Sequence, residues 1–260
     1  AAPSYAQCRG PRDVGYKLTI GRGPGSPEPL DFDKTQCIVL FGSHLGENAH
    51  NSQVQEFVQA RARGASLIVL DPRMSTVASK ADVWLPLKTG SDTAILLSWM
   101  HLLIANDTYH HTFVENQCTG FERLAEHVKP FTPSWAAQQA DVPAEDIVKA
   151  YELMVKAMPA VVVHPGRHVT WYGEADTQRA RAQAILSALL GAIWAPGGLY
   201  RPAPPPALKD FPSPDFPELP ANVDKAASRF PFATEVSTTG IRDATRTGVP
   251  YPIKGWFVHG

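Results

Sequence analysis

Apolar positions in the first third of the chain follow a regular order. Residues 37–41 (CIVLF) form a continuous apolar run, which is typical of a buried β-strand. Residues 49–63 place apolar side chains at helical spacing, and a second apolar run follows at Ser66–Leu70. We therefore predict a strand–helix–strand unit, whose right-handed crossover makes the two strands parallel neighbours.

Two more apolar runs extend this pattern. Asp82–Leu87 and Ala160–Val163 each have the length and composition of a short buried strand. Strands that alternate with helices are typical of parallel sheets. The predicted fold class is therefore α/β: a Rossmann-like parallel sheet flanked by helices.

Helical spacing also predicts the segments between and after these strands. One helix begins near Ser91 and runs to about Ile104, and another covers Glu174–Leu190. On the latter, we expect Arg179 and Arg181 to lie nearer the solvent-facing side. Residues 107–157 contain start signals for four short helices, so we predict a helical insertion there.

The amino-acid composition of the chain changes after residue 200. Residues 201–220 contain eight prolines, a density that excludes a regular helix or a central strand. We predict that residues 1–200 form the α/β region and that residues 201–250 form a Pro-rich extended arm or a linker. Residues 251–260 resemble the start of a further, truncated strand, which would make this chain an interior part of a longer protein.

Composition narrows the classes of function. The chain has 260 residues, 44% of them hydrophobic, and a net charge of −1, which gives no sign of a nucleic-acid surface. No apolar run reaches the roughly 18 residues of a membrane span. The three cysteines are too widely spaced for a disulfide framework or a CxxC metal site.

Candidate binding residues follow the first two predicted strands. Gly42, Ser43 and His44 come directly after one strand, and Asp71 and Arg73 come after the next. Ligands of parallel sheets bind beyond the carboxyl ends of the strands, where these residues would meet. Every α/β protein has such loops, so both a nucleotide site and ordinary turns fit this spacing.

Candidate binding residues also follow the third predicted strand. Gly90 ends the strand, Ser91 is placed as an N-cap, and Asp92 falls in the first turn of the next helix. Asp92 has two interpretations. It either favours the helix dipole or accepts hydrogen bonds from a base or ribose.

Two other stretches contain candidate catalytic or ligand-binding residues. The loop of residues 164–172 combines two histidines, Arg167 and two aromatic residues at a strand end, which favours an anion or redox-ligand site over an ordinary loop. Cys8 is the reactive residue of the N-terminal segment. By itself, a lone cysteine is more often a small buried hydrophobe than a ligand.

The order of several short motifs resembles the molybdopterin oxidoreductases of the dimethyl sulfoxide reductase family. These motifs are a cysteine before a Gly-Pro turn (8–11), FGS (41–43), GASLIVLDPR (64–73), ADVWLPLKTGSDTA (81–94), TPSWAA (132–137) and VPAEDI (142–147). Residues 171–182 and 251–258 are most similar to the catalytic subunits of polysulfide and thiosulfate reductases.

This resemblance implies a cofactor, a molybdenum atom held by two molybdopterin guanine dinucleotides. Cys8 would be the metal ligand, and its soft thiolate suits such a metal. Arg167 and His168 would face the metal and the substrate as further catalytic residues. The nucleotide parts would bind Gly42, Ser43 and His44 on the pterin and phosphate side, Asp71 and Arg73 at the pyrophosphate or guanosine, and Gly90 and Asp92 at the guanine.

The implied function is reduction of polysulfide or thiosulfate by two-electron cleavage of an S–S bond. Alternatives are another activity of the same family, such as formate oxidation or reduction of an arsenic or selenium oxyanion, and a non-catalytic scaffold without molybdenum. A simple nucleotide-binding module ranks last, because the chain lacks G-x-G-x-x-G after its first strand.

The resemblance also implies partners for an anaerobic respiratory electron-transport chain. These are an iron–sulfur electron-transfer subunit, a membrane anchor subunit and export to the periplasm. A [4Fe-4S] cluster is expected in the full-length chain, but the three cysteines here cannot supply its four ligands. Without that segment, this chain is not expected to be active alone.

Overall fold

The computed structural model describes residues 6–25, 28–43, 45, 47, 51–166, 175–200, 223 and 238–257. The chain divides into two compact units. The larger is Pro11–Pro202, and the smaller combines Ala1–Gly10 with Ala203–Gly260. None of the described helices is long and apolar enough to cross a membrane.

Four parallel strands form the sheet of the larger unit. They are β1 (Cys37–Phe41), β2 (Ser66–Leu70), β3 (Val83–Leu85) and β4 (Val161–Val163), in the order β3-β2-β1-β4. Cys37 of β1 pairs with Ser66 on one side and Val161 on the other. All four strands lie within the apolar runs that predicted them, and the predicted α/β class is confirmed.

β1 is buried on both faces. Its alternate side chains enter two different apolar clusters: Cys37, Val39 and Phe41 join one, and Ile38 and Leu40 join the other. A strand covered on both faces needs apolar side chains at every position. This explains why the strand reads as a continuous apolar run.

Long helices cover the sheet. α2 (Asn51–Ala62) connects β1 to β2, α3 (Asp92–Ala105) follows β3, and α8 (Asp176–Leu189) follows β4. α3 packs against α8. Their bounds differ from the predicted bounds by a few residues, as is usual for helix ends.

The helical insertion contains the four predicted helices. They are α4 (His111–Gln117), α5 (Phe121–Val128), α6 (Pro133–Ala140) and α7 (Ala144–Ala157). The hydroxyl of Thr132 accepts a hydrogen bond from the Trp135 N–H at 3.2 Å, which caps α6. One face of α7 is buried in the core through Ile147, Ala150, Tyr151 and Met154.

An additional helix, α1 (Ala6–Ile20), forms where no regular element is predicted. Its sequence is unfavourable for a helix because Pro11 lies inside it. Tertiary contacts compensate, since Arg12 and Tyr16 are fully buried. A Cβ atom at Gly15 would lie 2.7 Å from that of Ala180 in α8, so this glycine allows the two helices to approach closely.

The smaller unit contains α9 (Thr238–Thr247), a helix that was not predicted. Ile241 and Ala244 pack there with Val223, and Tyr251 and Ile253 lie against them. Residues 201–222 and 224–237, which make up most of the predicted arm, lie outside the described residues. Residues 251–257 do not form the predicted strand in the part of the chain that the structure describes, and Pro252 lacks the N–H that a strand interior uses.

Candidate functional site

A cavity of about 260 Å³ opens at the carboxyl ends of β1, β2 and β3. Its walls come from three strand ends and the first turn of α3. They are formed by Gly42, Leu70, Asp71, Pro72, Arg73, Leu87, Thr89, Gly90 and Asp92. The parallel sheet brings together residues that are 50 positions apart, and five of the seven predicted cofactor-binding residues meet here. Their binding of a cofactor stays a prediction.

Asp71 is held rigidly in the wall of this cavity. Its Oδ1 accepts a hydrogen bond from the Arg73 N–H at 2.9 Å, and its carbonyl accepts one from Trp84 Nε1 at 2.8 Å. The side chain is 4% exposed, and its Oδ2 has no hydrogen-bond partner among the residues that the structure describes. A buried acceptor without a partner is costly, so this oxygen is suited to an N–H or O–H group of a ligand.

Arg73 lies at the more exposed edge of the cavity. Its Nη2 donates to Oε2 of Glu47 at 2.8 Å, and Glu47 Oε1 accepts from the Thr76 N–H at 2.6 Å. Glu47 therefore restrains the guanidinium at the cavity edge. A guanidinium in this place is suited to a phosphate group of a ligand.

Asp92 is buried in the first turn of α3. Burial raises the pKa of its carboxyl, and the nearby Asp176 and Asp71 raise it further, whereas Arg179 and the backbone N–H of Asp92 lower it. Ser91 occupies the N-cap position as predicted, but it does not cap the helix: its hydroxyl donates to the Lys88 carbonyl at 2.5 Å. Asp92 is thus a buried acidic group at a helix end that lacks a side-chain cap.

Arg179 corrects one expectation about α8. It was expected near the solvent-facing side, but it is 4% exposed. Packing of α8 against α3 buries this face, and Arg179 Nε lies 3.6 Å from Oδ1 of Asp176. A buried guanidinium requires such a partner, and periodicity alone does not reveal it.

The other predicted site residues do not line the cavity or lie outside the part of the chain that the structure describes. Ser43 is buried at the end of β1, and its hydroxyl has no partner in the described part of the chain. Cys8 belongs to α1, but its side chain is outside the described residues, as are His44, Arg167 and His168. Within the described ranges, no group of three or more His, Cys, Asp or Glu residues is placed to hold a metal ion. The metal-binding role of Cys8 therefore stays a prediction.

A second buried polar cluster has no local signal in the sequence. Arg12, Glu28 and Gln53 come from three separate segments and meet His164 at the end of β4. Only His164 belongs to a stretch that was predicted to carry chemistry. No short motif joins residues so far apart in the chain.

Several known proteins are similar to this chain in sequence or in fold. The family model of molybdopterin oxidoreductases matches residues 12–202. The molybdopterin-containing subunit PhsA of thiosulfate reductase from Salmonella typhimurium is 34% identical over 253 residues, which cover 90% of this chain and 33% of that protein. Dimethyl sulfoxide reductase DmsA from Escherichia coli is 27% identical over 71% of this chain and 25% of its own length.

A solved structure agrees with these matches. Acetylene hydratase from Pelobacter acetylenicus superimposes with a TM-score of 0.64 at 31% identity, over 72% of this chain and 25% of that chain. The present chain spans a third or less of the length of these three proteins. The family match covers most of the chain and includes the whole sheet and the strand-end cavity, and the chain belongs to the molybdopterin oxidoreductase family.

Proposed function

We propose that this chain is part of the catalytic subunit of a molybdenum oxidoreductase that reduces thiosulfate or polysulfide. The observation that carries this proposal is the 34% identity to a thiosulfate reductase subunit across 90% of the chain. That similarity extends past residue 202, where the family match ends.

The strand-end cavity supports the guanine dinucleotide form of the cofactor. Guanine presents N–H donors, and Asp71 Oδ2 and the Asp92 carboxyl offer buried acceptors. Gly90, with φ +87°, adds backbone without a side chain beside them. Arg73 provides a positive charge for a phosphate. The described residues therefore fit a guanine nucleotide.

When bound, the molybdenum–pterin group would supply two-electron redox chemistry at sulfur. Cys8 would donate its thiolate to the metal, because coordination keeps a soft sulfur ligand deprotonated. Arg167 would bind the anionic substrate, and His168 would supply a proton during cleavage of the S–S bond. These three roles derive from the family resemblance.

The same relationship supports the proposed setting. The relative from Salmonella is named as the molybdopterin-containing subunit of its enzyme, which fits an assembly of several subunits. We propose an iron–sulfur electron-transfer subunit and a membrane anchor subunit as partners, with the complex facing the periplasm. The [4Fe-4S] cluster would be bound by a part of the protein outside this sequence.

The first test is metal and nucleotide analysis of the natively purified full-length protein. We expect about one molybdenum and about two guanine nucleotides per chain, and reduction of thiosulfate by a reduced viologen dye. Absence of both metal and nucleotide, from cells that load other molybdenum enzymes, would contradict the cofactor. A loaded protein that oxidises formate, or hydrates acetylene, but leaves thiosulfate unchanged would contradict the sulfur chemistry.

The second test is replacement of the proposed metal ligand. Cys8→Ala should abolish turnover, because a methyl group cannot coordinate a metal. Cys118→Ala is the matched control, since Cys118 is a partly buried free cysteine of the helical insertion. The control should keep wild-type activity, and equal activity of both variants would reject Cys8 as the ligand.

A further inference from the structure

A closed ring of hydrogen bonds lies inside the larger unit. It begins at Arg12, whose Nη1 donates both to Oε1 of Glu28 and to the carbonyl of Gly166, each at 2.5 Å. Glu28 continues the ring through its own carbonyl, which accepts from Gln53 Nε2 at 3.2 Å. These contacts connect α1, the loop before β1, the start of α2 and the segment after β4.

His164 closes the ring. Its Nδ1 accepts from the Gly166 N–H at 3.0 Å, and its Nε2 lies 3.3 Å from Oε1 of Gln53. Since Nδ1 accepts a backbone N–H, the neutral ring carries its proton on Nε2 and donates it to Gln53. The network thus assigns one tautomer to His164.

Because these side chains are buried, breaking their hydrogen bonds would cost much of the free energy of folding that the network contributes. Arg12 and His164 are fully buried, and Glu28 and Gln53 are 4% and 5% exposed. The guanidinium also donates from Nη2 to the Gly25 carbonyl at 3.0 Å and from Nε to Asp13 Oδ1 at 3.1 Å. A lysine could replace the charge but could not reach all these acceptors at once.

The ring contains both backbone polar groups of Gly166. Gly166 donates its N–H to His164 and accepts at its carbonyl from Arg12. Its φ of +70° lies in the left-handed region that favours glycine, and Pro165 before it restricts the turn further. The two peptide groups of Gly166 are therefore fixed in orientation at the point where the chain leaves β4.

We propose that Arg12 and His164 are positioning residues, which fix the peptide groups of Gly166, the residue directly before Arg167. This inference rests on the proposed function for the substrate-binding role of Arg167. The hydrogen-bonded ring itself is independent of that role.

Two substitutions of His164 separate its two hydrogen bonds in the full-length enzyme. Asparagine places an acceptor oxygen near the position of Nδ1, so His164→Asn keeps the bond from Gly166 and loses the bond to Gln53. Glutamine places an amide N–H near Nε2, so His164→Gln keeps the opposite bond. Both variants remove the imidazole from the same buried position, so the comparison separates the bond to Gly166 from the bond to Gln53.

Amide hydrogen exchange at Gly166, followed by mass spectrometry of short peptides, is the readout that does not depend on activity. We expect exchange in His164→Gln to be at least about tenfold faster than in wild type, and exchange in His164→Asn to be within about threefold of wild type. The KM for thiosulfate should rise in His164→Gln and stay near the wild-type value in His164→Asn, with equal molybdenum content.

Arg12→Lys tests the other side of the ring. It keeps a positive charge for Glu28 but loses the hydrogen bond from Nη1 to the Gly166 carbonyl, so exchange at Gly166 should accelerate several-fold. Arg61→Lys is the matched control, because Arg61 also binds one carboxylate and two carbonyls, those of Asp82, Ala65 and Lys80. The control should leave exchange at Gly166 unchanged.

Equal exchange at Gly166 in the two His164 variants would overturn the proposal, and so would wild-type exchange in Arg12→Lys. The second comparison remains decisive if His164→Gln does not fold. If exchange follows the prediction but the protein holds no molybdenum or does not act on thiosulfate, the positioning role stands and the proposed function fails.

Discussion

Arg73 donates a hydrogen bond from Nη2 to Oε2 of Glu47 at 2.8 Å, and this ion pair joins the loops that follow β1 and β2. The Thr76 N–H donates to the other carboxylate oxygen of Glu47 at 2.6 Å. Glu47 thus accepts hydrogen bonds from Arg73 and Thr76, the two ends of a four-residue segment at the cavity edge. It was not among the predicted site residues, although it determines where Arg73 can reach.

Glu47→Gln should loosen this edge of the cavity. Hydrogen bonds from Thr76, followed by the bond from Arg73, lower the pKa of Glu47 to about 2. A lowered pKa in the folded state means that ionised Glu47 stabilises the fold above its ordinary value of 4.5, and that this contribution is lost as the pH falls toward 2. The melting temperature of the variant should therefore lie below that of wild type by a constant amount from pH 7 to pH 5, and the difference should shrink at lower pH.

The control for this measurement is Glu126→Gln. Glu126 pairs with Lys129 on an exposed surface, where such a pair contributes little. Its melting temperature should match that of wild type across the same range. A difference for Glu47→Gln that persists unchanged at pH 2 would exclude the ion pair as its cause.

Asp92→Asn should have opposite effects on folding and on nucleotide binding. Because burial raises the pKa of Asp92, its ionisation opposes folding as the pH rises above the ordinary value of 3.8. At pH 7 the cofactor-free variant should therefore melt at a higher temperature than wild type, and the gap should close in acid. Binding of guanosine diphosphate, measured by titration calorimetry, should weaken about tenfold, the loss of one charge-assisted hydrogen bond.

Asp141→Asn is the matched control for Asp92. It makes the same change at an exposed residue with φ +56°, a backbone conformation that asparagine also adopts. Neither its melting temperature nor its nucleotide affinity should change. If Asp92→Asn binds the nucleotide with wild-type affinity, Asp92 is not part of the proposed guanine site.

Trp99→Phe should destabilise the core. Trp99 is fully buried in α3, packs edge-on against Phe41 with ring centroids 6.4 Å apart, and donates from Nε1 to the Ile147 carbonyl at 3.0 Å. Phenylalanine loses the donor and leaves a cavity, at a cost of about 2–3 kcal/mol. Differential scanning calorimetry should show a melting temperature lower by about 4–10 °C, whereas Trp256→Phe, at an exposed position, should change it little.

Cys37 should not react with alkylating reagents while the protein is folded. Burial, and then the charge of Asp82, raises the pKa of its thiol to about 12, against a smaller opposing effect of Arg61. Since the thiolate is the nucleophile, labelling with iodoacetamide at pH 8 should leave Cys37 unmodified. Mass spectrometry should find it labelled after unfolding in guanidinium chloride, and labelling of the native protein would contradict its burial.

The strand-end site was predictable because it depends on local signals. A parallel sheet places all its strand carboxyl ends at one edge, so once the apolar runs are assigned, Asp71 and Gly90 must come close to each other. The side chains of Arg12, Glu28 and His164 were not predictable in this way. They lie in segments with weak or no periodicity, and their partners are up to 154 residues away.

The sequence by itself determined the order of strands and helices along the chain and the edge of the sheet where the candidate site lies. Continuous apolar runs and period-3.6 patterns report which local segments bury apolar surface, and they carry that information without knowledge of the fold. Only the tertiary structure decided that α1 forms despite Pro11, that Arg179 is buried, and that Glu47 restrains Arg73. Each of these depends on charge pairing or desolvation between distant segments, and those energies exist only when the chain has folded.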